Sequence, residues 1–143
     1  MTAPVRVGIA VVEADDRFLV GIRAADTVLP GMAEFPGGKC ESDEAPRACV
    51  VRECREETDL IVLPVLHLAT VTHQYDHGLV ELHFWRCCLA QGTHQTCPPR
   101  SPFRWVERSE LADLLFPEAN CSVLEMLAAE ASDMDSDMES ASA

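Results

Sequence analysis

GGKCESDEAPRACVVRECREETDL, residues 37–60, is the stretch from which the rest of the chain can be read. Glu44 to Thr58 is predicted as a helix, with Asp43 or Ser42 placed to cap it and Pro46 tolerated in its first turn. At 100° per residue, Glu53, Glu56 and Glu57 fall within an arc of about 100° on one face. Ala48, Val50, Val51 and Cys54 occupy much of the other side. One face is therefore apolar and the other is a cluster of carboxylates.

Stability alone does not select that cluster. Glu53 and Glu57 are a like-charged i,i+4 pair, which costs about 0.2–0.5 kcal/mol. All three acids lie in the C-terminal half of the helix, where the macrodipole disfavours anions. Two unfavourable choices together point to a cation absent from the sequence, and hard oxygen donors at this density suit Mg²⁺ or Mn²⁺. Arg52 stands i,i+4 to Glu56 and can brace one carboxylate so that the others point at metal. Gly37-Gly38 allows close backbone approach, and the Gly37 carbonyl can serve as a ligand. Lys39 places a cation beside the expected phosphate site.

Residues 38–60 resemble the Nudix box, Gly-x5-Glu-x7-Arg-Glu-U-x-Glu-Glu-x-Gly-U, where U is a bulky apolar residue. Gly38, Glu44, Arg52, Glu53, Glu56, Glu57 and Leu60 fall in register, and Cys54 fills the first U loosely. Asp59 stands where the family has glycine. Asp adopts the left-handed conformation better than most non-glycine residues, so a small stability cost and an intact site are expected. The resemblance implies an α/β (α+β) fold, the Nudix α/β/α sandwich with a mixed β-sheet between helices. It also implies Mg²⁺- or Mn²⁺-dependent hydrolysis of a nucleoside diphosphate linked to another moiety. Glu53, Glu56, Glu57 and the Gly37 carbonyl are the implied metal ligands. Glu53, Arg52 and Lys39 are the implied catalytic group.

Working outward, RAADTVLPGMAEFPGGK (23–39) and FPEAN (116–120) look like the MutT-type subgroup, which removes pyrophosphate from nucleoside triphosphates. That resemblance implies substrate contacts from Arg23, Glu34, the backbone near Gly78, and Asn120, whose amide offers both a donor and an acceptor to a purine edge. Asn120 also directly precedes a helical stretch, where it could instead cap a helix, and Arg23 could pair with Asp26. The subgroup has an acid just before the tryptophan matching Trp105, whereas this chain has Arg104. Either Glu53 acts as base, or another acid such as Glu107 or Glu81 reaches in.

The remaining elements follow from local pattern. Val5 to Glu13 and Arg17 to Ile22 read as a hairpin turning at Asp15-Asp16. Arg23 to Ala33 reads as a loop, and Glu34 to Gly38 as a short extended piece. Ile61 to Thr72 reads as a strand with Pro64 at an edge or bulge. Tyr75 to Gly78 reads as a turn, Leu79 to Leu89 as a strand, Gly92 to Pro102 as a polar loop, and Phe103 to Val106 as a short strand. A short helix capped by Ser109 and a last helix from about Cys121 to Ala131 complete the domain, 1–131. Residues 132–143 read as a disordered, dispensable acidic tail.

The composition bounds the function. The chain has 143 residues, 48% apolar, enough for one domain with a real core. Its net charge is −13, from 24 acids against 11 Lys and Arg, which argues against a nucleic-acid polymer or an anionic membrane as partner. A phosphate ligand bridged by a divalent cation remains compatible. The seven cysteines, odd in number, include no CxxC pair. With no secretion signal or membrane-length apolar run, they suggest reduced thiols in a cytoplasmic protein, monomeric or homodimeric. Within the enzyme class, substrates include oxidised purine triphosphates, CTP or other pyrimidine triphosphates, and ADP-ribose. Outside it stand a zinc-binding module built on His73, His77, His83, Cys87, Cys88 and Cys97, and a non-catalytic Nudix-fold binding module.

Overall fold

A computed structural model describes residues 3–23, 31–93 and 98–130. Asp26, Cys97, parts of the two predicted loops and the acidic tail lie outside the described residues. The elements are β1 (Val5–Ala14), β2 (Arg17–Ile22), β3 (Ala33–Glu34), β4 (Gly37–Lys39), α1 (Pro46–Thr58), β5 (Val62–Tyr75), β6 (Gly78–Leu89), β7 (Phe103–Glu107) and α2 (residues 121–130). Short 3₁₀ turns cover Arg108–Asp113 and Glu118–Asn120.

The strands form one mixed sheet in the order β3-β2-β1-β6-β5, with β4 added to β1 and β7 to β2. β1 and β6 pair in parallel, Val5 with Val80 through Val12 with Cys87, while the other pairs are antiparallel. Successive residues of a strand face opposite ways, and β1 uses both faces. Ala10 and Val12 join Val50 and Cys54 of α1 in one buried cluster. Val11 joins Phe84, Val123 and Leu127 in the other, which takes in α2. The expected α/β/α sandwich is therefore what forms.

The β1–β2 turn places Asp15 and Asp16 at φ of 49° and 61°, the paired left-handed geometry of a tight hairpin. Pro64 lies in edge strand β5, whose register with β6 shifts between Pro64 and Leu66 and again between His67 and Ala69. The β5–β6 hairpin runs three residues further than expected on the β5 side, pairing Tyr75 with Gly78.

Two helix starts differ from expectation. α1 begins at Pro46, not Glu44, and neither Ser42 nor Asp43 caps it; the cap position is Ala45, extended and without a side-chain bond. A residue before proline is pushed out of the helical region, so the helix cannot start earlier. The turn after β7 is a 3₁₀ helix capped by Glu107 and Glu110 reciprocally, rather than a helix capped by Ser109. At the other end of α1, Asp59 adopts φ 65°, ψ 15°, and its N–H bonds the Arg55 carbonyl. Aspartate thus carries the left-handed stop, as anticipated.

Candidate active site

α1 packs its apolar side on β1 and turns its acidic side toward β4. Cys49, Val50 and Cys54 are fully buried, which fixes the rotation of the helix and hence the direction of the glutamates. β4 forms the floor because its glycines carry no side chains. A Cβ on Gly38 would lie 2.5 Å from the Glu53 carboxyl carbon, and one on Gly37 would run into the Gly8 carbonyl of β1. The double glycine is thus a steric requirement of the site. Gly38→Ala should displace the flexible Glu53 carboxylate while leaving the backbone in place. Ångström-scale misplacement can cost about 10²-fold, so an activity loss of that order with an almost unchanged melting temperature is expected. Wild-type turnover would show that Glu53 works from another position.

Arg52 organises the cluster. Its Nε and Nη2 both donate to the Glu44 carboxylate at 2.7 Å, a bidentate pair. Nη1 donates to Glu53 at 3.0 Å and to Glu56 at 3.3 Å, and Nη2 also reaches the Lys39 carbonyl at 3.2 Å. The Arg52 hydrogen bonds hold Glu44 well below the usual carboxylate range, at about 2. Those same carboxylates keep Arg52 protonated. Glu44 also accepts from the Glu41 N–H. The sequence placed Glu44 in register but missed this anchoring role. Its spacing of eight residues from Arg52 across a helix start leaves no local periodic signal.

Glu57 is held differently. Its carboxylate accepts the Gly37 N–H at 2.8 Å. Burial pushes its pKa up to about 7; that hydrogen bond opposes the rise, and the charges of Glu34, Glu53 and Glu56 add to it. The carboxylates are thus crowded enough to repel one another. Among the described residues no three His, Cys, Asp or Glu side chains already converge on one point, since Glu53 and Glu56 turn to Arg52 and Glu57 to Gly37. The donor set still fits a hard divalent cation: three carboxylates over a glycine floor.

The other expected residues divide between the two sides of the sheet. Arg23 bonds Glu34 at 3.3 Å, and Glu34 is near enough to act on Glu57, so these two belong with the cluster. The Lys39 side chain is exposed. Gly78 sits at the β5–β6 turn with φ 143°. Asn120 lies across the sheet, 8% exposed, at the end of a 3₁₀ turn and directly before α2. Its amide donates to the Pro117 carbonyl at 3.2 Å.

Arg104 is exposed on β7, opposite Val20. Glu107 is engaged in its cap and pairs along β2 with Arg17, while Glu34 pairs with Gly21. Four residues of strand, about 13 Å, separate those levels, so Glu107 does not reach in. A cavity of about 770 Å³ lies at that far end, lined by Asp16, Glu107, Leu111 and Leu124 among others. Glu81 is bonded to His83 at 2.6 Å. His77 stacks on Tyr75, the His73 ring is tilted against it, and Cys87 is buried; among the described residues no three such side chains gather as a zinc site.

The NUDIX domain family matches residues 7–126. The chain belongs to the Nudix family. This Nudix protein is a hydrolase acting on phosphoric anhydrides. It is 30% identical to the 8-oxo-dGTP diphosphatase of Escherichia coli (strain K12) over 86% of this chain and 94% of that protein. It is 34% identical to the CTP pyrophosphohydrolase of the same organism, over 60% of this chain but only 64% of that protein's length. Among solved structures, the E. coli ORF135 protein matches with a TM-score of 0.71 at 26% identity, covering 87% of this chain and 89% of that one. MutT from methicillin-resistant Staphylococcus aureus 252 matches with a TM-score of 0.70 at 28% identity, covering 91% and 99%. Among the described residues no helix is long and apolar enough to cross a membrane.

Proposed function

We propose that this Nudix hydrolase is a divalent-metal-dependent pyrophosphohydrolase that splits nucleoside triphosphates into monophosphate and pyrophosphate, with an oxidised guanine nucleotide as the preferred substrate. The carrying observation is the Arg52-organised face of Glu53, Glu56 and Glu57 over the Gly37-Gly38 floor. Similarity to an 8-oxo-dGTP diphosphatase over most of the chain supports the substrate class. Higher local identity to a CTP pyrophosphohydrolase favours pyrimidine triphosphates as the second reading.

Glu53, Glu56, Glu57 and the Gly37 carbonyl would hold Mg²⁺ or Mn²⁺. When bound there, the ion would supply charge neutralisation for the polyphosphate and Lewis acidity toward water. Glu53 receives the proton of the attacking water, Glu107 being committed to its turn. Arg52 is a positioning residue, since its two bonds to Glu44 fix the guanidinium that orients Glu53 and Glu56. Arg23 and Lys39 supply positive charge for the substrate's phosphates.

A panel of dGTP, 8-oxo-dGTP, CTP, dCTP and ADP-ribose, assayed for products with Mg²⁺ and with EDTA, tests the reading. Turnover should vanish in EDTA, return with Mg²⁺, and be fastest on 8-oxo-dGTP. Full activity in EDTA would refute it, and a CTP optimum would select the second reading.

Asn120→Ala separates recognition from local structure. A buried polar group left without its partner costs about 1–3 kcal/mol, so kcat/KM for the preferred purine should fall roughly 5- to 150-fold. Poor substrates should suffer much less. A lowered melting temperature with unchanged preference would confine Asn120 to its bond with Pro117.

A further inference from the structure

Leu111 and Leu114 stand three residues apart in and after the 3₁₀ turn that follows β7, so their side chains fall in one row. Leu124 and Ala128 stand four apart on α2 and share a face. All four line the cavity at the Glu107 end of the sheet, and the β1–β2 turn at Asp15, Asp16 and Arg17 closes it from a third side. Leu111 belongs to the core, and Leu114 and Leu124 are half-buried against it. Ala128 brings only a methyl group to this face, which leaves room between the turn and the helix. The resulting space, about 770 Å³, falls within the range of small-molecule sites, about 300–1,000 Å³, and like them is walled mainly by apolar groups.

The surrounding charges set the sign of a ligand. Arg108 is the buried cation in the wall, and it donates to three carboxylates, Asp16, Glu13 and Glu130, as well as to the Leu127 carbonyl. Arg17 lies 3.9 Å from Glu107, with both side chains more than half exposed. Both arginines are thus matched by acids, and Arg108 is outnumbered. Glu125, exposed on α2, makes no hydrogen bond or ion pair among the described residues, and Asp15 adds a further acid to the lining. An entering anion would compete with carboxylates for arginines already bonded. A cation displaces nothing, and the net charge of −13 reinforces that preference. The same sign argues against the acidic tail, residues 132–143, as the occupant.

We propose that this cavity is a second binding site, separate from the carboxylate face of α1, for a small organic cation that carries an ammonium group on an apolar body. The apolar part lies against Leu111, Leu114 and Leu124, and the ammonium group turns to the acidic rim at Glu125.

The test titrates the isotope-labelled full chain with phenylbutylamine in excess Mg²⁺ and follows the backbone amide signals by NMR. Phenylbutanol and phenylbutyrate serve as neutral and anionic counterparts of the same body. The amine should give saturable shifts centred on Leu111, Leu124 and Ala128. The butyrate should bind at least about tenfold more weakly, because like charges brought together repel. Ala128→Trp, at an exposed position, should fill the space and abolish the shifts with the melting temperature almost unchanged. Glu125→Gln keeps the space and should weaken the amine about two- to fivefold, the size of an exposed ion pair, while leaving the alcohol as it was. No saturable binding of the amine, an alcohol or butyrate that binds as tightly, shifts centred on the α1 glutamates, or binding that survives Ala128→Trp would each overturn the proposal. Should Ala128→Trp unfold the chain, Glu125→Gln decides alone, and an unchanged amine affinity there would overturn it.

Discussion

Glu53→Gln and Glu57→Gln are each expected to lower kcat by at least about 100-fold, because partners one shell outside a metal are already worth about 10- to 100-fold. Neither variant should unfold, since removing a charge from a crowded face relieves repulsion. Glu57 makes the stability effect readable. Its folded pKa, about 7, lies above the ordinary carboxylate value, so the folded state holds the proton more tightly. Metal-free wild-type protein should therefore lose stability as pH rises from about 4.5 through 7. Glu57→Gln has no such loss and can still accept the Gly37 N–H. Its melting temperature in EDTA should match wild type near pH 4.5 and exceed it at pH 8. Wild-type kcat in either variant would remove that carboxylate from the site.

Arg108 carries the largest expected effect on folding. It is buried, with a side chain 7% exposed, and bonds Asp16 at 2.8 Å, Glu13 at 2.9 Å and Glu130 at 3.1 Å. It also donates to the Leu127 carbonyl in α2 at 2.8 Å and lies 4.9 Å over the Phe18 ring. Arg86 shares Glu13 and Glu130. Deleting one partner of a buried ion pair strands the others and costs about 3–5 kcal/mol. Asp16 is half exposed and Arg86 remains, so Arg108→Met should cost about 3 kcal/mol, roughly 10 °C in melting temperature. Glu130 has its pKa lowered, chiefly by Arg86, so the network contributes above the ordinary carboxylate range and fades as pH falls below it. The Arg108→Met deficit should shrink in acid. A deficit under about 1 kcal/mol at neutral pH would mean that Arg86 alone neutralises the group.

What the sequence disclosed, and what it withheld, can be traced to particular residues. The α1 carboxylates were legible because helical period and fixed spacing are local properties. Asp59 was legible because a left-handed stop has a narrow residue preference. The start of α1 was misplaced because Ser42 and Asp43 look like caps, whereas Pro46 restricts Ala45 more strongly. The tie between Glu44 and Arg52 crosses a helix start, and the set formed by Glu13, Arg86, Arg108 and Glu130 joins residues far apart in sequence. No pattern within one element signals such partners. Asn120 was expected at a cap or a base; its bond to Pro117 belongs to a 3₁₀ turn that propensity does not foresee.

The parallel pairing of β1 with β6 carries a consequence for the order of synthesis. Val5 waits for Val80, and β1 cannot acquire this neighbour until residues 78–89 have left the ribosome. Contacts this distant in sequence slow folding, because chain entropy is lost before they form. The early hairpin and α1 emerge first, with the apolar side of α1 and both faces of β1 still uncovered. A nascent chain stalled before β6 would therefore present those surfaces to chaperones and proteases together with the full set of α1 glutamates.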